Sequence, residues 1–325
     1  MMADAPRPTP GDSASPRIGS PQVGLSRGNQ TRYPAAVTGL ALPSRGPLVA
    51  LLTVQVLFGL HAVLSKLAFP AFGAGGVSLA RVVGAALVFQ AIRVARREPA
   101  LPWRMHARVA VASGFGVVAN QLLFMYGLER TSATHATILV TTVPVATLLV
   151  AVAAGREALL WHRAVGITLA FIGAALVVTS RGAVAGGEWL GNLMVLGNSF
   201  SYAVYLVMGR DLLTGMSPWS LAAWLFTWGV FPVLLVTGLP APESPDAVAW
   251  GALAAIVFGS TIGTYLLNLV ALRSLPSSVV AVFVCLQPTI AAAVAWFALG
   301  EVLDGRTLVA GALTIAGMLV ATRRG

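Results

Sequence analysis

A few polar side chains sit inside long apolar runs of this chain: His61, Arg81, Asn120, Thr141, Tyr202, Trp224 and Gln287. In hydrocarbon a polar group costs free energy unless it faces a partner or water, so these positions are the candidates for binding chemistry. They offer amides, hydroxyls, aromatic faces and one guanidinium, which suits recognition of a small molecule. They do not suit catalysis. No Asp or Glu lies well inside an apolar run, and the chain has no HExxH, GxSxG or phosphate-binding glycine loop. No metal, cofactor or enzymatic activity is therefore expected. An intramembrane enzyme would need clustered His, Asp and Glu, which are missing.

Each candidate carries two readings. Arg81 lies about 9 Å into its run at ~1.5 Å per residue. It either snorkels to the interface or places a cation in a cavity for an anionic or zwitterionic ligand. Lys66 lies nearer an end and reads as snorkelling, and His135 begins its run at an interface. His61 is either a proton-titrating group or a hydrogen-bonded histidine between helices. Thr134, Thr137, Thr141 and Pro144 share one helix face. Pro144 removes a backbone hydrogen bond and frees a carbonyl near residue 140. Pro288 does the same beside Gln287. Such breaks either kink a packed helix or line a path where polar groups re-satisfy the backbone. Tyr202 with Asn198, and Trp224 with Trp228, present aromatic faces to a ligand, to lipid or to the core.

The elements that must hold these residues follow from composition. The chain has 325 residues, of which 57% are hydrophobic and 10% charged, against roughly 25% charged in globular domains. Ten apolar segments are expected, at 48–68, 75–93, 109–127, 132–154, 161–179, 190–208, 219–238, 248–270, 276–299 and 306–322. Each is long enough to cross ~30 Å of hydrocarbon as a helix. Residues 1–45, rich in Pro, Ser, Gly and Arg, read as a disordered cytoplasmic tail, with no apolar region suited to a cleaved signal. Segments 5 and 10 are nearly free of polar residues. Their Gly166, Ala170, Gly173 and Ala174 permit close helix approach, as do Gly259 and Gly263 in segment 8. Segments 5 and 10 are also a candidate homodimer contact.

Moved on by 144 positions, Arg130–Gly182 falls without a gap on the C-terminal end. Pro144 meets Pro288, Glu157 meets Glu301, Gly173 meets Gly317 and Phe58 meets Tyr202. The period is that of a duplicated half-protein, with halves at 46–181 and 190–325. Glu157 and Glu301 sit at segment ends beside Arg163 and Arg306, and read as structural ion pairs. The formal charge of +10 would suit nucleic acid in a soluble protein. With both termini in the cytoplasm, however, most arginines fall on the inner side, including Arg93, Arg96, Arg97, Arg104 and Arg108. That is the positive-inside pattern, and it leaves no reason to expect nucleic-acid binding. Five spans per half make the halves inverted about the membrane plane. This design recurs in secondary transporters, with the substrate at the midplane. The fold class expected is an all-α polytopic membrane protein of ten transmembrane helices in two inverted five-helix repeats.

Several stretches then resemble the drug/metabolite transporter superfamily, in particular exporters with two EamA-type domains. They are FGLHAVLSK (Phe58–Lys66), SLARVVGAAL around Arg81, TTVPVATLLVAVAAGREAL around Pro144 and LQPTIAAAVAWFALGEVL around Pro288. Phe58 stands where that family often has Trp. The resemblance covers residues 48–322. It implies movement of a small metabolite or amino acid across the bacterial inner membrane, through a cavity lined by segments 1–4 and 6–9. The partners expected are a small-molecule substrate and the lipid bilayer. The alternative reading is a non-transporting membrane receptor or assembly scaffold.

Overall fold

The computed structural model describes residues 1–2, 45–155, 160–178, 188–275, 280, 283–300 and 305–321. Most of the expected tail, and the expected ion pairs of Glu157 and Glu301, lie outside the described residues. By its contacts the chain divides into Met1–Ala41 and Leu42–Gly325. The described helices all belong to the second unit.

Among the described residues the fold is helical, without strands. The helices are α1 Arg45–Ala95, α2 Trp103–Ser113, α3 Asn120–Glu129, α4 Ala133–Val140, α5 Val143–Ala153, α6 Trp161–Val178, α7 Glu188–Leu212 and α8 Pro218–Thr237. They continue with α9 Ala247–Val257, α10 Thr264–Ser274, α11 Gln287–Leu299 and α12 Gly305–Ala321. A π-helical turn at Gly114–Ala119 joins α2 to α3, and another at Phe258–Gly263 joins α9 to α10. Six stretches are long and apolar enough to cross a membrane: Val49–Ala95, Trp103–Glu129, Ala133–Ala153, Glu188–Leu212, Pro218–Thr237 and Ala247–Ser274. Ala164–Leu176 and Leu308–Gly317 are shorter apolar helices.

Helix α1 spans 51 residues, about 77 Å at 1.5 Å per residue and more than twice the ~30 Å of a bilayer core. It is broken at Gly73, whose φ of 62° and ψ of 168° are not helical. The two arms, 45–72 and 74–95, correspond to the separate segments 1 and 2 expected from sequence. Both sides of the break are held by hydrogen bonds. The Ala71 carbonyl accepts from the Glu243 backbone N–H at 2.8 Å, and the Ala74 N–H donates to Glu129 Oε1 at 3.1 Å. Only glycine adopts this backbone region at low cost. Nothing lies within 4 Å of a Cβ built on Gly73, so Gly73→Val tests conformation alone. It is expected to cost about 1–3 kcal/mol, read from thermal unfolding in detergent.

Other helix starts follow from short polar caps. Ser132 Oγ accepts from the His135 N–H at 3.0 Å, and Ser217 Oγ accepts from the Ser220 N–H at 3.1 Å. Asp246 Oδ1 accepts from the Ala249 N–H at 2.7 Å. Each satisfies a donor that a helix leaves open in its first turn.

The 144-residue offset reappears in three dimensions. The two π-helical turns lie 144 positions apart along the chain. Helices α6 and α12 pack closely, and their crossing is reciprocal. A Cβ on Gly173 would lie 2.7 Å from the Ala310 carbonyl oxygen and against Thr314. A Cβ on Gly317 would lie 2.6 Å from the Gly166 carbonyl oxygen and against Ala170. Positions 166, 170 and 173 become 310, 314 and 317 under the offset. Each glycine therefore meets the counterparts of its own neighbours.

Candidate functional site

The irregular points of these helices converge on one cavity of about 500 Å³, including its opening. Its walls are Phe58, His61, Arg81, Asn120, Gln121, Phe124, Val140, Val143, Asn198, Tyr202, Val284 and Gln287. The two arms of α1 supply Phe58, His61 and Arg81. Asn120 and Gln121 follow directly on the first π-helical turn. Val140 and Val143 flank the α4–α5 break, and Val284 and Gln287 flank the junction of a 3-10 turn with α11.

Among the described residues of these walls, Arg81 is the only cation whose charge does not depend on protonation near neutral pH. Its side chain is buried, with 3% exposure, so it does not snorkel. Arg81 Nε donates to Thr261 Oγ1 at 2.8 Å. That hydroxyl in turn donates to the Ile256 carbonyl at 2.9 Å, across the second π-helical turn. Arg81 Nη1 lies 2.7 Å from His61 Nε2. A guanidinium only donates, so Nε2 must be the acceptor and carries no proton. The His61 ring stacks on Phe124, with centroids 5.5 Å apart and planes at 18°. No carboxylate of the described residues lies within ion-pair distance of Arg81.

The remaining polar walls differ in how far the protein itself occupies them. Asn198 Nδ2 donates to the Asn120 carbonyl at 2.8 Å. Asn268 Nδ2 donates to the Tyr202 hydroxyl at 3.2 Å. Gln287 Nε2 donates to Gln55 Oε1 at 2.7 Å, and the Tyr265 hydroxyl donates to the Gly116 carbonyl freed by the first π-helical turn. Gln121 differs: both Nε2 and Oε1 are buried with no hydrogen-bond partner among the described residues. Buried amides without partners are uncommon, so a ligand is their natural complement. The candidates named from sequence include its neighbour Asn120 and not Gln121. The unused amide is visible only in three dimensions.

Five of the sequence candidates, His61, Arg81, Asn120, Tyr202 and Gln287, line this cavity together. Thr141 and Trp224 do not. Thr141 Oγ1 donates to the Ile138 carbonyl at 2.6 Å, and Thr142 Oγ1 donates to the Leu139 carbonyl at 2.7 Å. The two hydroxyls thus serve the helix break itself. Trp224 lies under the Arg93 guanidinium, 5.3 Å from its ring centroid, and against His106 at 5.1 Å.

Pro144 falls in the first turn of α5 and Pro288 in the first turn of α11. There the missing N–H has no intrahelical partner to lose. The carbonyls re-satisfied at the first break are Ile138 and Leu139, just before the residue-140 position expected from sequence. The break also borders an apolar surface hollow lined by Thr142, Ala146, Phe171, Leu196, Gly197 and Phe200.

The cavity is symmetric in shape and asymmetric in chemistry. Phe58 and Tyr202, Val140 and Val284, and Val143 and Gln287 are pairs under the 144-residue offset, and all six line it. The counterpart of Arg81 is Leu225, that of His61 is Tyr205 and that of Gln121 is Tyr265. The first half alone supplies the cation.

With this geometry in place, comparison with known proteins gives consistent results. The sequence model of the EamA-like transporter family matches residues 45–179 and 189–323. An uncharacterized transporter of Archaeoglobus fulgidus is 31% identical over 229 residues, 68% of this chain and 76% of its own. A probable terminal-alkyne amino-acid exporter of Streptantibioticus cattleyicolor is 31% identical over 281 residues, 79% of this chain and 89% of its own. A solved crystal structure superposes with a TM-score of 0.62 over 86% of this chain and 97% of its own, at 17% identity. That likeness concerns the fold alone.

Proposed function

The chain belongs to the EamA-like transporter family, and on that premise we propose that it exports a small metabolite through the Arg81 cavity by alternating access. Amino acids are among the candidate cargoes, and the probable amino-acid exporter of S. cattleyicolor, at 31% identity, supports including them. The observation that carries the reading is Arg81 itself. A buried guanidinium with no carboxylate partner among the described residues is costly to keep, and it opens on a cavity whose apolar walls carry a few polar groups, the mixture that suits a small ligand.

The finer architecture of this proposal is ten spans, with the halves 46–181 and 190–325 inserted in opposite orientations. The tail 1–45 and the C-terminus lie in the cytoplasm, in a bacterial inner membrane. Two inverted halves around one site supply inward-open and outward-open states by exchanging conformations. Pro144 and Pro288 begin the helices that would pivot. Thr141 acts at that pivot rather than on the ligand.

A receptor or scaffold of the same fold needs no path for solutes. An Asn198→Cys variant, made with the native Cys285 changed to Ser, separates the two readings. In a transporter, a water-soluble maleimide labels the new thiol from one or both sides, and cargo slows the labelling severalfold. Absence of labelling from either side, with no solute uptake into proteoliposomes under any imposed gradient, would favour the scaffold.

A further inference from the structure

We propose that the cavity selects small organic monoanions over zwitterionic α-amino acids. The preferred ligand is a carboxylate on an apolar body with one uncharged hydrogen-bonding group, as in hydroxy acids. This rests on the transporter reading and sharpens it to a substrate class.

The first argument is charge balance. Among the described residues of the cavity walls, only Arg81 carries a fixed charge. His61 Nε2 accepts from Arg81 Nη1 at 2.7 Å, so that nitrogen has no proton and the ring adds no charge in this arrangement. No Asp or Glu of the described residues lines the cavity. The empty site therefore holds one positive charge. A monoanion brings it to neutrality, whereas a zwitterion fills it and leaves the net charge in place. In surroundings of low dielectric a buried uncompensated charge is strongly unfavourable. An ammonium would also bring a second cation near Arg81 with no carboxylate to receive it.

The second argument is the hydrogen-bond inventory of Arg81 and Gln121. Nε and one Nη1 hydrogen of Arg81 are committed to Thr261 and His61. The Nη2 group and the second Nη1 hydrogen remain for a carboxylate, which a guanidinium binds as a fork. Gln121 is 1% exposed, with both ends of its amide unpartnered. A hydroxyl can donate to Oε1 or accept from Nε2 and so completes that amide. Phe58, Phe124, Val140, Val143 and Val284 supply an apolar wall for the rest of the ligand. Arg81 and Gln121 both come from the first half of the duplicated chain.

Three compounds sharing a benzyl body test this: 3-phenyllactate, 3-phenylpropionate and phenylalanine. They carry a hydroxyl, a hydrogen and an ammonium beside the carboxylate. Their affinities are measured on the purified full-length protein in nanodiscs at neutral pH, and their fluxes in proteoliposomes. The expected order is phenyllactate, then phenylpropionate, then phenylalanine, with phenyllactate bound about tenfold or more tighter than phenylalanine. Gln121→Leu should erase the advantage of phenyllactate over phenylpropionate. The comparison on unmodified protein needs no variant, so misfolding of Gln121→Leu does not rescue the idea. If phenylalanine equals or exceeds phenyllactate and is transported, the monoanion class is wrong and the transporter reading stands. If none of the three binds or moves, the substrate class is rejected. If Arg81→Gln also leaves the transport of every other cargo tested unchanged, the role of the Arg81 cavity falls with it.

Discussion

Arg81→Gln is expected to lower cargo affinity about 100-fold, or about 3 kcal/mol, while leaving the helical fold intact. The guanidinium is held at Nε by Thr261 at 2.8 Å and at Nη1 by His61 at 2.7 Å, so its free edge is fixed in place. A glutamine keeps polarity but loses the charge and the fork. Arg81→Lys keeps the charge as a point and should recover only part of the loss. Thr261→Val leaves the charge but releases Nε, and should fall between wild type and Arg81→Gln. The double variant Arg81→Met, His61→Phe removes the buried cation together with its acceptor. It should inactivate transport and raise the unfolding midpoint, because replacing buried polar charge with packed apolar groups is often stabilising by about 1–4 kcal/mol. Binding isotherms, flux and thermal unfolding on one set of preparations check all four. Wild-type flux from Arg81→Gln would remove the charge from the mechanism.

The second large effect is structural. Gly173→Val and Gly317→Val should each destabilise the protein by about 3 kcal/mol, at the upper end for overpacking. At Gly173 the new Cβ meets the Ala310 carbonyl oxygen at 2.7 Å, and at Gly317 the Gly166 carbonyl oxygen at 2.6 Å. Both obstacles are backbone, so no rotamer change relieves them, and α6 and α12 must separate. Because the crossing is reciprocal, the two variants should lose the same amount in a detergent unfolding assay. Gly251→Val on α9 is a control: nothing lies within 4 Å of a Cβ there, so it should cost about 1 kcal/mol or less, and β-branching itself is only mildly unfavourable in a helix. A harmless Gly317→Val beside a damaging Gly173→Val would contradict the reciprocal crossing.

Both effects were partly legible in the amino-acid order. The pair Gly173 and Gly317 stands out under the 144-residue offset, and small residues spaced four apart mark close helix contacts. The direction of the contact, with each glycine against the other helix's backbone, required coordinates. Arg81 stood out because a cation in an apolar run is costly wherever it lies. Sequence left it between an interface and a cavity, since depth along a helix does not say which way a long side chain turns. His61 and Thr261 settle the direction, and Thr261 lies 180 positions away in sequence. Thr141 and Trp224 show the opposite case. Their residue types suit a ligand, yet one hydroxyl is used by its own helix and one indole lies against Arg93. Gln121 is not singled out by sequence because an unused amide is a property of its surroundings.

What the sequence by itself determined is what local chemistry and repetition impose: apolar helical segments, a duplicated half, a family of transporters and a short set of costly polar residues. Burial in hydrocarbon makes each of these visible from residue type and spacing alone. What only the tertiary structure decided is which side chains share a space and which hydrogen-bonding groups remain unused there. Those depend on contacts between residues far apart in the chain, such as Arg81 with Thr261 and Gln55 with Gln287. The π-helical turns and the break at Gly73 set how distant helices meet, and through them the duplicated scaffold encloses a cavity whose charge comes from one half only.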